Sequence, residues 1–115
     1  MATTRIEKTK RMSQGVSHGD LIFLAGQVAD DPVPDAKAQT EDILRKIDAL
    51  LGKLGSGKQN LLSTTIYLAD IRSFEAMNSA WDVWVDTENP PARATVEARL
   101  AHPKYLVEIM VTAHK

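Results

Sequence analysis

The chain has 115 residues, of which 43% are hydrophobic and 25% are charged. This length and composition predict one globular domain over residues 1–115 and exclude a disordered chain, a coiled-coil rod and a collagen repeat. Lysine and arginine number 14 against 15 aspartate and glutamate residues, for a net charge of −1. That balance argues against nucleic-acid binding driven by bulk charge. The lack of cysteine excludes disulfides, thiol nucleophiles and cysteine metal sites.

Targeting signals are not recognisable in the sequence. The longest apolar run, Leu21–Ala25, is far shorter than the roughly 20 residues that span a bilayer. Residues 1–10 alternate polar and charged side chains and contain no apolar segment of a secretory signal. We therefore expect a cytoplasmic protein with no membrane partner.

The first half of the chain predicts two strands and one helix. Residues 5–9 indicate a weak strand, and the apolar run Asp20–Gly26 predicts a strand buried on both faces. Prolines 32 and 34 mark a loop, after which Asp35 is suited to cap a helix. Glycines 52, 55 and 57 end that helix. Its apolar stripe comprises Ala36, Thr40, Ile43, Ile47, Leu50, Leu51 and Leu54.

The second half predicts a strand, a helix and two further strands. Leu61–Ala69 is rich in strand-forming residues. Asp70 or Ser73 begins a second helix, which the prolines at 90 and 91 end. Its stripe comprises Phe74, Met77, Asn78, Trp81, Trp84 and Val85. Alternating residues over 93–100 and 106–113 indicate two strands that we expect to pair as a hairpin. Two helices can cover only one face of this sheet, which predicts a two-layer α+β domain.

The opposite face of the predicted sheet is neither fully polar nor fully apolar. Val107, Ile109 and Val111 should face the helices. The other face then carries Glu108, Met110 and Thr112, with Arg93, Thr95 and Glu97 expected beside them. A semi-apolar face needs a second cover. The simplest cover is another copy of the chain, so we expect a homo-oligomer with closed symmetry.

Two charged residues of this face are candidates for chemistry. The planar fork of Arg93 suits a carboxylate or phosphate; alternatively, Arg93 forms an ion pair with Glu97 or Glu108. Glu108 lies between two apolar residues, and a partly buried carboxylate can act as a general base. Its alternative role is again that of an ion-pair partner.

Other polar residues carry weaker signals. Asn78 lies on the apolar stripe of the second helix, where its amide either lines a pocket or bonds a nearby loop or strand end. No two of the three histidines, His18, His102 and His114, have metal-ligand spacing, so no metal site is expected. The sequence contains no nucleophile elbow, no phosphate-binding glycine loop and no dinucleotide fingerprint.

Four short blocks follow one another along the chain: Leu24-Ala25-Gly26-Gln27-Val28, Phe74-Glu75-Ala76-Met77-Asn78, Pro91-Ala92-Arg93-Ala94-Thr95-Val96 and Val107-Glu108-Ile109. Together they resemble the RidA/YjgF family of reactive-intermediate deaminases over nearly the whole chain, and Asp70–Trp84 is most similar to a YoaB-like branch. The resemblance implies a chorismate-mutase-like two-layer fold with a mixed sheet, assembled as a homotrimer with sites between subunits. It also implies hydrolysis of enamines and imines to 2-oxo acids and ammonia, without metal or organic cofactor.

The same resemblance implies roles for individual residues. Arg93 matches the family arginine that binds the substrate carboxylate, and Glu108 matches the glutamate that positions water. Gly26 matches the glycine whose backbone approaches the substrate. Asn78 matches the pocket asparagine.

Three matched positions depart from the family pattern. Met12 replaces a tyrosine, Ala25 a serine and Thr95 a cysteine. The lost groups leave open a non-enzymatic trimer that binds a small carboxylate. RNA cleavage or translation inhibition is a third reading, against which the charge balance argues.

The expected hairpin bears on where these residues meet. Centred on its turn, it places Arg93 opposite Thr112, four residues or roughly 13 Å along the strand from Glu108. We therefore expect the two side chains to act together across a subunit boundary, unless a bulge shifts the register.

Overall fold

A computed structural model describes all 115 residues and contains six strands and two helices in the order β-β-β-α-β-α-β-β. The strands are β1 (Thr3–Lys8), β2 (Ser13–His18), β3 (Leu21–Leu24), β4 (Leu61–Leu68), β5 (Ala92–Glu97) and β6 (Val107–His114), and the helices are α1 (Ala36–Lys53) and α2 (Phe74–Trp84). The strands form one mixed sheet in the order β1-β2-β3-β6-β4-β5. The α+β class with two helices on a mixed sheet is thereby confirmed.

The last two strands do not form the expected hairpin. β4 lies between them, pairing antiparallel with β6 and parallel with β5. The reason is the strand–helix–strand order of β4, α2 and β5, since a crossover helix brings the following strand back parallel to the first. The expectation that Arg93 stands opposite Thr112 is therefore wrong, because Arg93 pairs with Thr64.

Strand β2 was absent from the sequence prediction, because serine, glycine and histidine give it little strand propensity. It pairs with β1 on one side and β3 on the other. Gly15 is required here by packing. A Cβ at this position would lie 2.9 Å from Leu54 Cδ1 and 3.1 Å from both Ile6 and Leu24. Glycine at position 15 therefore lets β2 lie close to Leu54 at the end of α1.

The helices begin and end largely as their residues predict. Asp35 caps α1 by accepting from the backbone N–H groups of Lys37 and Ala38. Gly55, with φ +79°, adopts the left-handed backbone that follows many helices. Asp70 caps a single 3-10 turn at Ile71–Ser73 that leads into α2. α2 ends at Trp84, well before the two prolines.

Both helices pack on one face of the sheet, called here the helix face, and the hydrophobic core lies between the helices and the sheet. Val107, Ile109 and Val111 point into it and are at most 1% exposed, as predicted. The other face, called the open face, has no cover within the chain. Leu21 and Phe23 of β3 lie on it and are each 47% exposed, so the prediction that this strand is buried on both faces is wrong for a single protomer. Neither helix has the length and apolar character needed to cross a membrane.

Candidate functional site

Arg93 lies on the helix face of β5. It pairs with Thr64 of β4, which is 2% exposed, and alternate residues of β5 share this face. Thr95 and Glu97 therefore also lie on the helix face, opposite Ile66 and Leu68. The expectation that these three residues share a face with Glu108 is wrong, because the register through β4 aligns Arg93 with Val111 on the helix face and not with Thr112 on the open face.

Helix α2 holds the Arg93 side chain through one stripe of residues. Arg93 Nη1 donates to Asn78 Oδ1 over 2.8 Å and lies 4.0 Å from Met77 Sδ. Its guanidinium carbon lies 5.3 Å from the ring centroid of Trp81 and 5.7 Å from that of Phe74, within cation–π distance of both. These five residues are called the Arg93 cluster below.

The Arg93 cluster leaves part of the guanidinium free. Nε and Nη2 donate to no acceptor within the chain, since the hydrogen bonds of the guanidinium all come from Nη1. Glu97, one of the two suggested ion-pair partners, instead accepts from the backbone N–H of Ile71 over 3.0 Å. The free Nε–Nη2 edge is a planar double donor suited to a carboxylate.

Glu108 lies on the open face, beside Gly26. Residues Gln27 and Ile109 exchange two backbone hydrogen bonds of 2.8 and 3.0 Å, which hold the segment after β3 against β6. The Cα of Gly26 comes so close to the Glu108 carboxylate that a Cβ there would collide with it. The pair matches two of the family positions named from the sequence, and its assembly within one chain follows from this bridge.

Arg93 and Glu108 do not meet within one protomer. Thr64 links Arg93 to Val111 on β6, three residues from Glu108. The two backbone positions are therefore about 10 Å apart along the strands and about 10 Å across them, on opposite faces of the sheet. An ion pair between them is absent from the chain. A ligand that contacts both side chains needs a second copy of the chain.

The three departing residues lie at different places. Met12 is 45% exposed in the β1–β2 connection, and Ala25 donates its backbone N–H to Gln14 O beside Gly26. Thr95 lies next to the Arg93 cluster, with its hydroxyl buried and unpaired, as is the hydroxyl of Thr64. A surface cavity of about 690 Å³ is lined by residues 97–103 with Ala69 and Tyr105, and none of the predicted site residues lines it.

Comparison with known proteins fits this geometry. The sequence pattern of the family described as endoribonuclease L-PSP matches residues 2–115. The chain belongs to this family, also known as YjgF/RidA. Membership confirms the resemblance drawn from the four sequence blocks.

Members of the YjgF/RidA family match the chain along almost its whole length. A RutC family protein of Haemophilus influenzae is 45% identical over 114 residues, covering 98% of both chains. The RutC family protein YoaB of Escherichia coli is 44% identical over 113 residues, also covering 98% of both. The crystal structure of a YjgF family member from Neisseria meningitidis superposes with a TM-score of 0.97 at 43% identity, covering 100% of this chain and 96% of the other.

Phe74 and Trp81 were not among the residues predicted for the site. A signal for them was present, because Phe74, Met77, Asn78 and Trp81 have the i, i+3, i+4, i+7 spacing of one helical stripe. Asn78, a polar residue within that stripe, is the residue that accepts the hydrogen bond from Arg93. The aromatic residues resembled ordinary core, and only the parallel register of β5 places Arg93 between them.

Proposed function

We propose that the protein hydrolyses reactive 2-imino and enamine acids to 2-oxo acids and ammonia, at clefts between the subunits of a homotrimer. The observation that carries this proposal is the Arg93 cluster, which presents a fixed guanidinium with its Nε–Nη2 edge free. A small carboxylate is the ligand that this edge fits. Membership of the YjgF/RidA family supports the choice of reaction.

Arg93 would orient the substrate through its carboxylate. Holding a small molecule at a charged edge converts random encounters into productive ones. Backbone groups of Thr95 assist. Ala98 donates its backbone N–H to Leu68 O of β4. Because the N–H and C=O groups of successive residues of a strand point to opposite sides, those of Thr95 point away from β4, to the outer edge of the sheet near Arg93.

Glu108 would act on water. As general base it takes a proton from a water molecule that attacks the carbon of the protonated imine, giving a neutral carbinolamine. It returns that proton to the nitrogen and then takes the proton of the carbinolamine hydroxyl as the C–N bond breaks, which forms the C=O of the 2-oxo acid and releases ammonia. The ammonia takes the last proton from Glu108 and leaves as ammonium. An enamine substrate reacts in the same way after it has tautomerised to the imine. The missing side chain of Gly26 lets the Glu108 carboxylate lie directly against the backbone after β3, which fixes the position from which Glu108 would act on the water.

Assembly of the chain would bring the two halves of the site together. Apolar side chains are exposed on the open face, among them Phe23 at 47%, Val96 at 42% and Met110 at 40%, and a surface of this kind needs a cover. A closed ring of copies covers it and can place Glu108 of one subunit near Arg93 of another. The separation of these residues within one chain supports a trimer with sites at its interfaces.

A carboxylate-binding protein without turnover is the second candidate. It is favoured by Met12, Ala25 and Thr95, which lack the tyrosine, serine and cysteine groups implied by the resemblance. Both candidates use the Arg93 cluster, so binding alone does not separate them. Release of ammonia does.

The experiment is a rate measurement on 2-iminobutanoate and 2-aminoacrylate generated in situ, following 2-oxo acid formation. We expect acceleration over buffer that Arg93→Ala abolishes and Glu108→Gln reduces strongly. Arg45→Ala is the matched control, because the Arg45 side chain is 71% exposed on α1. Carboxylate binding by calorimetry without any acceleration would instead establish the binding protein.

A further inference from the structure

The two aromatic residues of the Arg93 cluster differ in exposure. Trp81 is 6% exposed and packs within the core, so it can touch only the arginine and its apolar neighbours. Phe74 is 36% exposed. One part of its ring therefore lies near the guanidinium, 5.7 Å from its central carbon, and another part remains accessible.

The accessible ring of Phe74 continues into a small apolar surface. Ile71, which precedes it in the 3-10 turn, is 44% exposed. The hydrogen bond from Ile71 N–H to Glu97 fixes this turn over the end of β5. Phe74 lies near Arg93, and Ile71 is held at Glu97, four residues further along β5, so two partly exposed apolar side chains lie near different ends of the stretch of β5 that begins at Arg93.

We propose that Phe74 selects the side chain of the ligand, so that the site prefers carboxylates with an apolar substituent over the shortest ones. The inference rests on the proposed function and adds the chemical class of the substrate's side chain. The carboxylate lies on the Nε–Nη2 edge, and the substituent packs on the accessible part of the Phe74 ring towards Ile71. Burying aliphatic carbons there removes apolar surface of both partners from water.

Trp81 has a different role in this arrangement. Because it is buried, it positions Arg93 and cannot contact the substituent. Removal of Trp81 should weaken all carboxylates alike. Removal of Phe74 should instead change the ratio of affinities between a long and a short carboxylate. That ratio separates a residue that selects from one that only positions.

The test is calorimetry with pyruvate and 4-methyl-2-oxopentanoate as unreactive probes. Wild-type protein is expected to bind the longer acid about tenfold more tightly, the order expected for apolar groups in a binding site. Phe74→Ser should reduce this preference to about twofold or less, and Phe74→Leu should retain most of it. Val83→Ser is the matched control, since Val83 is 87% exposed further along α2.

Three results would overturn the inference while leaving the proposed function intact. They are equal affinity of the wild type for both acids, an equal loss of both affinities in Phe74→Ser, and dissociation of the oligomer in that variant, which would assign Phe74 to a subunit contact. A wild type that binds neither acid and accelerates no imine hydrolysis would instead remove the proposed function. A rate comparison of imino acids derived from alanine and leucine provides the same ratio during turnover.

Discussion

Arg93 and Glu108 lie on opposite faces of one β-sheet, separated by strand β4. Arg93 is held against α2, whereas Glu108 lies beside Gly26 on the face without helices. Any ligand that uses both residues must therefore lie between two chains. This relationship makes oligomerisation a requirement of the proposed chemistry, and it defines variants that separate folding from function.

Gly26→Ala should remove activity with little effect on stability. The three atoms nearest to the new Cβ, Oε2, Cδ and Cγ, all belong to the Glu108 side chain, which can rotate away without a shift of the backbone, so the carboxylate leaves its position. Gly15→Ala is the informative contrast, because its Cβ meets core side chains at 2.9 to 3.1 Å. It should cost about 1–3 kcal/mol of stability. Chemical denaturation and imine hydrolysis rates measured on both variants test this pair.

Variants of the Arg93 cluster should affect binding in a graded way. Trp81→Phe retains an aromatic face beside the guanidinium and should keep carboxylate affinity within about threefold. Trp81→Leu loses that face, and Asn78→Ala loses the acceptor for Nη1, so each should weaken binding about tenfold. The measurement is calorimetric titration with a 2-oxo acid. Wild-type affinity in all three variants would show that the cluster does not position Arg93.

The unpaired hydroxyls of Thr64 and Thr95 predict a gain of stability on substitution. Replacing a buried, unsatisfied hydroxyl with a methyl group of the same shape removes a desolvation cost of about 1 kcal/mol. Thr64→Val and Thr95→Val should each raise the free energy of unfolding by about that amount. Because Thr95 is proposed to act through its backbone, activity should remain within about twofold. A loss of stability in both variants would mean that the hydroxyls have partners in the assembled protein.

Asp70 should titrate at unusually low pH. Side-chain and backbone hydrogen bonds from Arg72 lower the pKa of Asp70 from 3.8 to about 2. A carboxylate with a lowered folded-state pKa stabilises the fold above its unfolded pKa, and this contribution disappears as the pH falls from about 4 to about 2. NMR titration of the Asp70 carboxyl should give a midpoint near 2 in the wild type and a clearly higher one in Arg72→Ala. The same midpoint in both proteins would show that Arg72 does not lower the pKa.

Local patterns predicted much of the fold. Asp35, the stripe of α1 and the alternation of β6 each depend on neighbours within a few residues, and each is confirmed. The class of two helices on one sheet face follows from counting them. The same patterns do not predict which strands pair. The place of β5 in the sheet depends on the α2 crossover and on its pairing with β4, where Arg93 aligns with Thr64.

The candidate site was predicted in part for the same reason. Arg93, Asn78, Gly26 and Glu108 were named from the sequence, and the structure brings them together as two pairs. The division between faces depends on the register of β5, which aligns Arg93 through Thr64 with Val111 and not with Thr112, and alternation alone does not give that register. Phe74 and Trp81 were read as core residues, since nothing local distinguishes an aromatic ring that packs on an arginine from one that packs on leucine.

A mixing experiment tests the central claim most directly. Arg93→Ala protein, which we expect to be inactive, and Glu108→Ala protein, which we expect to be strongly impaired, are co-refolded in equal amounts and the hybrid oligomers verified by native mass spectrometry. If each site takes Arg93 from one subunit and Glu108 from another, about a quarter of the sites in a random mixture carry both residues. Imine hydrolysis should then recover to about a quarter of the wild-type rate. Verified hybrids that remain as inactive as either variant alone would contradict a site shared between subunits.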